Sequence, residues 1–581
     1  MSNQDPRLKP LSHERVPVPD IYVDGKPALV LDKRAKRRDK EDTLRENLAA
    51  AAFMQDLART IFGPRSLIKL VSTHEGNYPL TFVTSDLQSV LKRIQIKHPA
   101  AQIIAGAAIA THREKGDGCV STMLLATGLL SECKRLLEHK THANVLIDGL
   151  TLAYHRIVAQ ASKLIIRKTD TQLDVIGLAI GNSLGGKLFD DDRRVVQGLL
   201  SEAVKTVGVS ELRGPDSRWV VDVKKVQGGT LADSHVVTGI ALTQEIPHDK
   251  MPRTVKGAKI ALIEKELRIP DKKITRYEDY KFAFSSPQEM SGFEKSKKTY
   301  LEGLASNIIA ANANVVLVEG GVDDFLFEYF ANRGILLLRR FPHVEFERVN
   351  RVVGGRMIPY GLEITDEDLG WADLIEERKI GKQKLVYIEG CKKPKSVDIV
   401  LRGGVKWSLD DIERVMMGAV KSATTAARDP RLVWGGGAFE FELARNLTAY
   451  ARRIKDRRQL VLEAVAEAFE SIPGILGESA GLKAMDVTSE LRYRHAKGEK
   501  SAGIDVKSGR IMSMSALGVL DLLDVKLQAI TSAFETAITI LRINELIVGA
   551  ELSKPERSYL ERIKGSTRKA FKEKGAIIPG E

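Results

Sequence analysis

At 581 residues the chain is too long for one hydrophobic core to organise, which sets an expectation of roughly two to four domains. Apolar residues at 43% and charged residues at 28% exclude a globally disordered chain. No uninterrupted apolar run reaches the ~18 residues of a membrane span, and residues 1–20 are polar without a signal-peptide core, so the reading is a cytoplasmic protein with no membrane partner. Three scattered cysteines, Cys119, Cys133 and Cys391, exclude a disulfide framework and a cysteine zinc site. The net charge of +13 raises nucleic acid as a partner. Much of the excess sits in residues 33–38 and 557–574, however, where solvated charged arms are the simpler reading.

In residues 43–61, Leu44, Leu48, Phe53, Leu57 and Ile61 recur at helical spacing, and Phe62-Gly63-Pro64 ends the pattern. Residues 80–83 read as a strand, followed by Thr84-Ser85-Asp86 and a helix-like stretch. Two alanine-rich helical stretches, 100–114 and 120–137, are separated by Lys115-Gly116-Asp117-Gly118, a glycine-bracketed carboxylate at a helix N-terminus. Helical patterns run to about residue 167 and again over 173–207, with a break expected at residues 181–187. The next section is mixed: strands at 219–226, 260–263, 315–318 and 335–338 alternate with helices at 293–311 and 323–332. Past Leu401-Arg402-Gly403-Gly404, helical patterns return and continue to residue 548. Helical portions at both ends enclosing an α/β insert predict that the two ends fold together.

The chain has no P-loop, and Val353-Gly354-Gly355 does not continue into a dinucleotide fingerprint. Gly116-Asp117-Gly118 offers another cradle: backbone amides of residues 118–121 could hold phosphate while Asp117 supplies a hard oxygen to Mg²⁺. A plain helix-capping turn explains the same residues. Gly435-Gly436-Gly437 carries the same ambiguity.

Taken in order, Phe62-Gly63-Pro64, His98-Pro99-Ala100-Ala101, Gly116-Asp117-Gly118, Gly320-Gly321-Val322-Asp323-Asp324, Glu389-Gly390-Cys391, Leu401-Arg402-Gly403-Gly404 and Gly435-Gly436-Gly437-Ala438 resemble the group II chaperonins, the family of the thermosome and the eukaryotic cytosolic chaperonin. The similarity spans about residues 43–550. It implies a multidomain α+β fold: a mostly helical equatorial domain from both chain ends, a small α/β intermediate domain, and an inserted α/β apical domain with a helical lid protrusion. The implied boundaries are a basic N-terminal extension at 1–42, equatorial segments at 43–166 and 420–550, and intermediate segments at 167–229 and 384–419. The apical domain would take 230–383, with the lid near 270–304, and a basic tail 551–581. The implied function is an ATP-binding chaperone subunit of a double ring, homo- or hetero-oligomeric, that encloses unfolded protein clients.

The resemblance also assigns the site. It puts Asp117 on Mg²⁺ and Gly63, Pro64, Gly118, Cys119, Val120 and Ser121 around the phosphates of ATP or ADP. Cys119 and Val120 stand where hydroxyl residues are usual. Ser183, Leu184 and Lys187 fall in the loop that senses the terminal phosphate, and Gly436 and Asp521 fall near the ribose and base. Asp86 matches one of two aspartates that position and activate the attacking water. The partner aspartate belongs on the helix after Gly404, and Gly418 stands there instead; Leu87-Gln88 likewise replaces a glycine-containing step after Asp86. A glycine cannot accept a proton, so hydrolysis is expected to be slow or absent. Ser408 and Asp411 are spaced as an N-capping box for that helix. The alternatives are a subunit that mainly sets ring geometry and a ring protein that binds RNA.

Overall fold

A computed structural model of the chain describes residues 21–23, 26–28, 36–38, 40–75, 78–166, 171–215, 220–268, 287–359, 364–381, 383–392, 394–543 and 546–548. The first third is helical: α1 (Lys40–Arg59), α2 (Leu87–Arg93), α3 (Pro99–Lys115), α4 (Cys119–Glu138), α5 (Ala143–Ala161), α6 (Gln172–Leu184) and α7 (Asp190–Val207). Local chemistry sets the ends of these helices. Pro99 opens α3, where a missing N–H costs nothing, and Gly116 closes it in the left-handed region at φ 81°. Thr171 and Asp174 form a reciprocal capping box at the start of α6.

Helices α1 to α5 pack with the C-terminal helices Ala438–Ala451, Arg458–Ser479 and Leu523–Arg542 in one core that includes Leu48, Ile104, Leu124, Leu150, Phe469 and Phe534. Burying side chains of this size contributes roughly 1.5–3 kcal/mol each. The two ends of the chain therefore form one body, as the pattern of the sequence predicts. Within the first end, Lys69–Glu75 and Tyr78–Thr84 pair as an antiparallel hairpin.

The insert is built on a seven-stranded mixed sheet. Thr254–Ile263 runs parallel to Val315–Val318 on one side and antiparallel to Gly370–Ile380 on the other. The inner strands are apolar where two faces are covered, and the four residues of Val315–Val318 are all buried. Leu262, Leu317, Phe330 and Phe346 belong to this second core. A third core joins α6 and α7 to the strand Val397–Gly403 and the helix Lys406–Arg428 through Ile176, Leu200, Ile399 and Met416. Val397–Gly403 pairs in parallel with Val221–Gln227 and antiparallel with His235–Val237.

Several expectations need correction. The break after α6 falls at Gly185, not Gly181, so Ser183 and Leu184 lie on the last helical turn. Ser408 and Asp411 do not cap the helix Lys406–Arg428, whose N-cap is Val405; Asp411 instead accepts from Thr84 at 3.1 Å and pairs with Arg414 at 3.1 Å. The final helical pattern stops at Arg542, and Leu546–Val548 is a strand paired antiparallel with Lys36–Arg38. Part of the N-terminal basic run is thus strand. Of the lid segment, residues 269–286 lie outside the described residues, and Pro287–Ala310 is a 24-residue helix. The basic tail beyond residue 548 also lies outside them.

An ionic cluster ties the insert to the third core. Arg348, on the helix His343–Val353, donates to Asp222 at 2.8 Å and pairs with the fully buried Asp398; Lys224 reaches Glu345 at 2.7 Å. Burial pushes the Asp398 carboxyl up, against the pull of Arg348 and Lys224. Removing one partner leaves a buried charge uncompensated, which costs about 3–5 kcal/mol. Arg348→Ala should therefore lower the unfolding midpoint in guanidinium, and Asp398→Asn in the same background should recover part of the loss.

Candidate functional site

The site starts from a turn that favours glycine. Gly116 and Gly118 sit at φ 81° and 88°, and between them the Asp117 side chain remains 38% exposed. Gly118 is the N-cap of α4 and has no side chain to meet the first amides of that helix. The amides at the start of α4 therefore have no intrahelical acceptors, and the macrodipole adds positive potential there. Cys119 is buried and its thiol is pushed well up by burial, so it offers no anionic sulfur. Val120 and Ser121 are half-buried on the first turn. The amides of Cys119 and Val120 belong to the first turn of α4 whatever side chains these residues carry.

The end of α6 faces this turn. The Lys187 ammonium lies 3.7 Å from Asp117 Oδ1, with its side chain only 15% exposed. Burial disfavours its charge, but Asp117 and Asp86 outweigh that and hold its pKa above the ordinary lysine value. Ser183 is fully buried and donates to the Gly116 carbonyl at 3.2 Å, so it braces the turn. Leu184 is buried in the third core and presents no side chain to a ligand. Next to them Ser66 donates to the Gly186 carbonyl. A Cβ on Gly186 would lie 2.5 Å from the Gly63 carbonyl and 3.3 Å from Pro64, so this turn rests directly on the Phe62-Gly63-Pro64 loop.

Asp86 is 5% exposed and caps α2, accepting from the Ser89 amide at 3.0 Å and the Ser89 hydroxyl at 2.7 Å. Burial alone would raise its pKa; Lys187, His112 and the Ser89 bonds reverse that and hold the carboxylate below its ordinary range. Leu87 is the first residue of α2 and a buried member of the first core.

The helix Lys406–Arg428 closes the site. A Cβ on Gly116 would collide with the Gly418 carbonyl and the Ser422 amide, so the turn and this helix meet backbone to backbone. Thr425 also donates to the Lys115 carbonyl at 3.1 Å. Gly418 is buried and faces back toward α3: a Cβ there would lie 3.2 Å from His112 Nε2 and 3.3 Å from the Gly116 carbonyl. His112 is the residue that sequence reasoning missed. It lies on the last turn of α3 at 7% exposure, with no hydrogen-bond partner for Nδ1 among the described residues. Burial, reinforced by Lys187, brings its pKa down to about 4 against the opposing pull of Asp86 and Asp117, so the ring is neutral at pH 7. A histidine four residues before Gly116, on the helix leading into the turn, was the available signal.

Asp521 is tied to α6 through Asn182, which donates to the Asp521 carboxylate at 3.2 Å and to the Leu520 carbonyl at 2.6 Å. Asp521 is not a free carboxylate: it pairs with Lys526 at 3.0 Å, which also binds Glu440 at 2.6 Å. Gly436 sits at φ 60° and accepts from the Ile504 amide at 2.9 Å. Among the described residues no group of three or more His, Cys, Asp or Glu is placed to hold a metal. A lone, half-exposed carboxylate beside a helix N-terminus suits Mg²⁺ that takes its remaining oxygens from phosphate and water.

Gly116→Ala puts a methyl group into backbone atoms and strains a positive φ, with costs of about 1–2 kcal/mol for the φ and roughly 1–3 kcal/mol for overpacking. Thermal unfolding of the variant should show a clear fall in Tm. Gly106→Ala, where a Cβ on α3 meets open space, should leave Tm unchanged or raised.

A sequence model of the TCP-1/cpn60 chaperonin family matches residues 54–551. The thermosome subunit alpha of Sulfolobus acidocaldarius is 33% identical over 571 residues, covering 95% of this chain and 99% of the relative. That of Archaeoglobus fulgidus is 34% identical, covering 92% and 96%, and a thermosome subunit of Pyrococcus horikoshii is 32% identical, covering 91% and 95%. Full-length similarity to proteins that are subunits by name implies assembly with other subunits. The chain belongs to the TCP-1/cpn60 chaperonin family and is a group II chaperonin subunit.

Proposed function

We propose that this subunit binds ATP and ADP at the turn formed by residues 116–118 and turns ATP over slowly, as part of a double-ring chaperone that encloses unfolded proteins. The observation that carries the reading is the convergence of Asp117, Lys187 and Asp86 on the uncapped N-terminus of α4. Phosphate is an anion with many acceptor oxygens, and helix amides with a buried ammonium meet it. Asp117 would hold Mg²⁺, whose charge would offset that of the phosphates. Asp86 would orient the attacking water, with Gly418 in place of the second carboxylate. The nucleoside is assigned to the side of α6 where Asn182 holds Asp521.

The first, second and third cores are read as equatorial, apical and intermediate parts, with the strand Gln383–Glu389 counted in the apical sheet and the whole helix Lys406–Arg428 in the intermediate part. Exposed Phe53, Leu67, Ile68 and Leu70, at 51–72% exposure on α1 and the hairpin region, support subunit contacts made by the equatorial part. Clients are assigned to the apical helices and lid segment of neighbouring subunits acting together. The pairing of Lys36–Arg38 into a strand weakens the case for a nucleic-acid arm at the N-terminus. A cytoplasmic location agrees with this reading, and no helix among the described residues is long and apolar enough to cross a membrane.

Isothermal titration of the assembled protein with MgATP and MgADP tests the nucleotide site. Binding should occur, and Asp117→Ala should weaken it about tenfold or more in the presence of Mg²⁺ while leaving the far-UV spectrum unchanged. No binding by the native chain would discard the reading.

A further inference from the structure

Gly418 leaves the water-positioning pair without its second carboxylate, and a side chain from a different helix stands beside the space. Helix α3 ends at Lys115, and His112 lies on its last turn, four residues before Gly116. Its Nε2 lies 3.2 Å from where a Cβ of residue 418 would begin. At 7% exposure the ring is buried, its Nδ1 has no hydrogen-bond partner among the described residues, and the charges of Lys187, Asp86, Asp117 and Lys92 all act on it. The Nε2 edge of the ring borders the place of a residue-418 side chain, so it is the edge that a water held there would meet.

Resting on the nucleotide reading above, we propose that His112 supplies the second water-positioning group opposite Asp86, in the space that a carboxylate at residue 418 would otherwise use. Gly418 and His112 are then one exchange: the ring has room because residue 418 has no side chain, and a side chain at 418 would press on the ring. The reaction it serves is ordinary hydrolysis. The water oxygen bonds to the terminal phosphorus, and the bond from that phosphorus to the bridging oxygen breaks with its electron pair leaving on ADP. The proton of the water passes by way of Nε2 or the Asp86 carboxylate to the released phosphate. An imidazole nitrogen beside the water can accept a hydrogen bond from it and take up its proton.

The test measures kcat for ATP and Kd for MgADP on the assembled protein. His112→Ala should lower kcat about 100-fold with Kd for MgADP changed less than about threefold. Gly418→Asp alone should not raise turnover, because the ring occupies the space, whereas the double variant His112→Ala with Gly418→Asp should restore it. His112→Asn, which keeps a polar side chain of similar width, covers the case in which alanine does not fold and should also lower kcat. Native turnover retained in His112→Ala or His112→Asn, no turnover in a native chain that binds nucleotide, or full activation by Gly418→Asp alone would each overturn the assignment. Failure of the native chain to bind MgADP would instead sink the nucleotide reading on which it rests.

Discussion

The backbone of Gly116 lies against the backbone of the helix Lys406–Arg428, and the rest of the site depends on that close approach. No side chain fits between them, since a Cβ on Gly116 would run into the Gly418 carbonyl. The contact joins the core made by both chain ends to the core made around Val397–Gly403. Because it is made by main-chain atoms at a positive φ, it fixes the position of Asp117 beside α4 and the face that Gly418 turns toward α3. Ser183 and Thr425 hold the same turn from α6 and from the helix Lys406–Arg428. Movement of the helix Lys406–Arg428 would therefore carry the turn with it, which couples the site to the middle of the chain through packed atoms.

The electrostatics follow from that packing. Two carboxylates, Asp86 and Asp117, share one buried ammonium, Lys187, and a neutral imidazole lies among them. Lys187 is the main counter-charge that lets Asp86 stay ionised at 5% exposure. The same ammonium lowers the basicity of His112. A phosphate and its metal entering this space would exchange one set of charges for another, so nucleotide binding and the state of the turn are linked through Lys187.

Much of this is legible in the sequence, and the reasons are local. Apolar spacing marks the helices of both ends, and the continuous apolar run Val315–Val318 marks a buried strand, because both signals are set by burial along one element. Gly116 and Gly118 bracketing a carboxylate signal a turn with positive φ. Contact across elements is what the sequence does not carry. The spacing of Ser408 and Asp411 fits a cap, whereas the partner of Asp411, Thr84, lies 327 positions away. His112 stands four residues before Gly116, but nothing near it in the chain says that residue 418 has left room for its ring. Leu546–Val548 continues a helical pattern in sequence and is a strand in space, because its partner is at the other end of the chain.

The most direct measurement is the structure of the assembled protein with MgADP and aluminium fluoride, a mimic of the terminal phosphate in transfer. The account predicts the fluoride group between Asp117 and Lys187, with a water held between Asp86 and His112. Nucleotide bound elsewhere, or a fluoride complex in which the His112 ring has turned away and a different side chain holds the water, would contradict it.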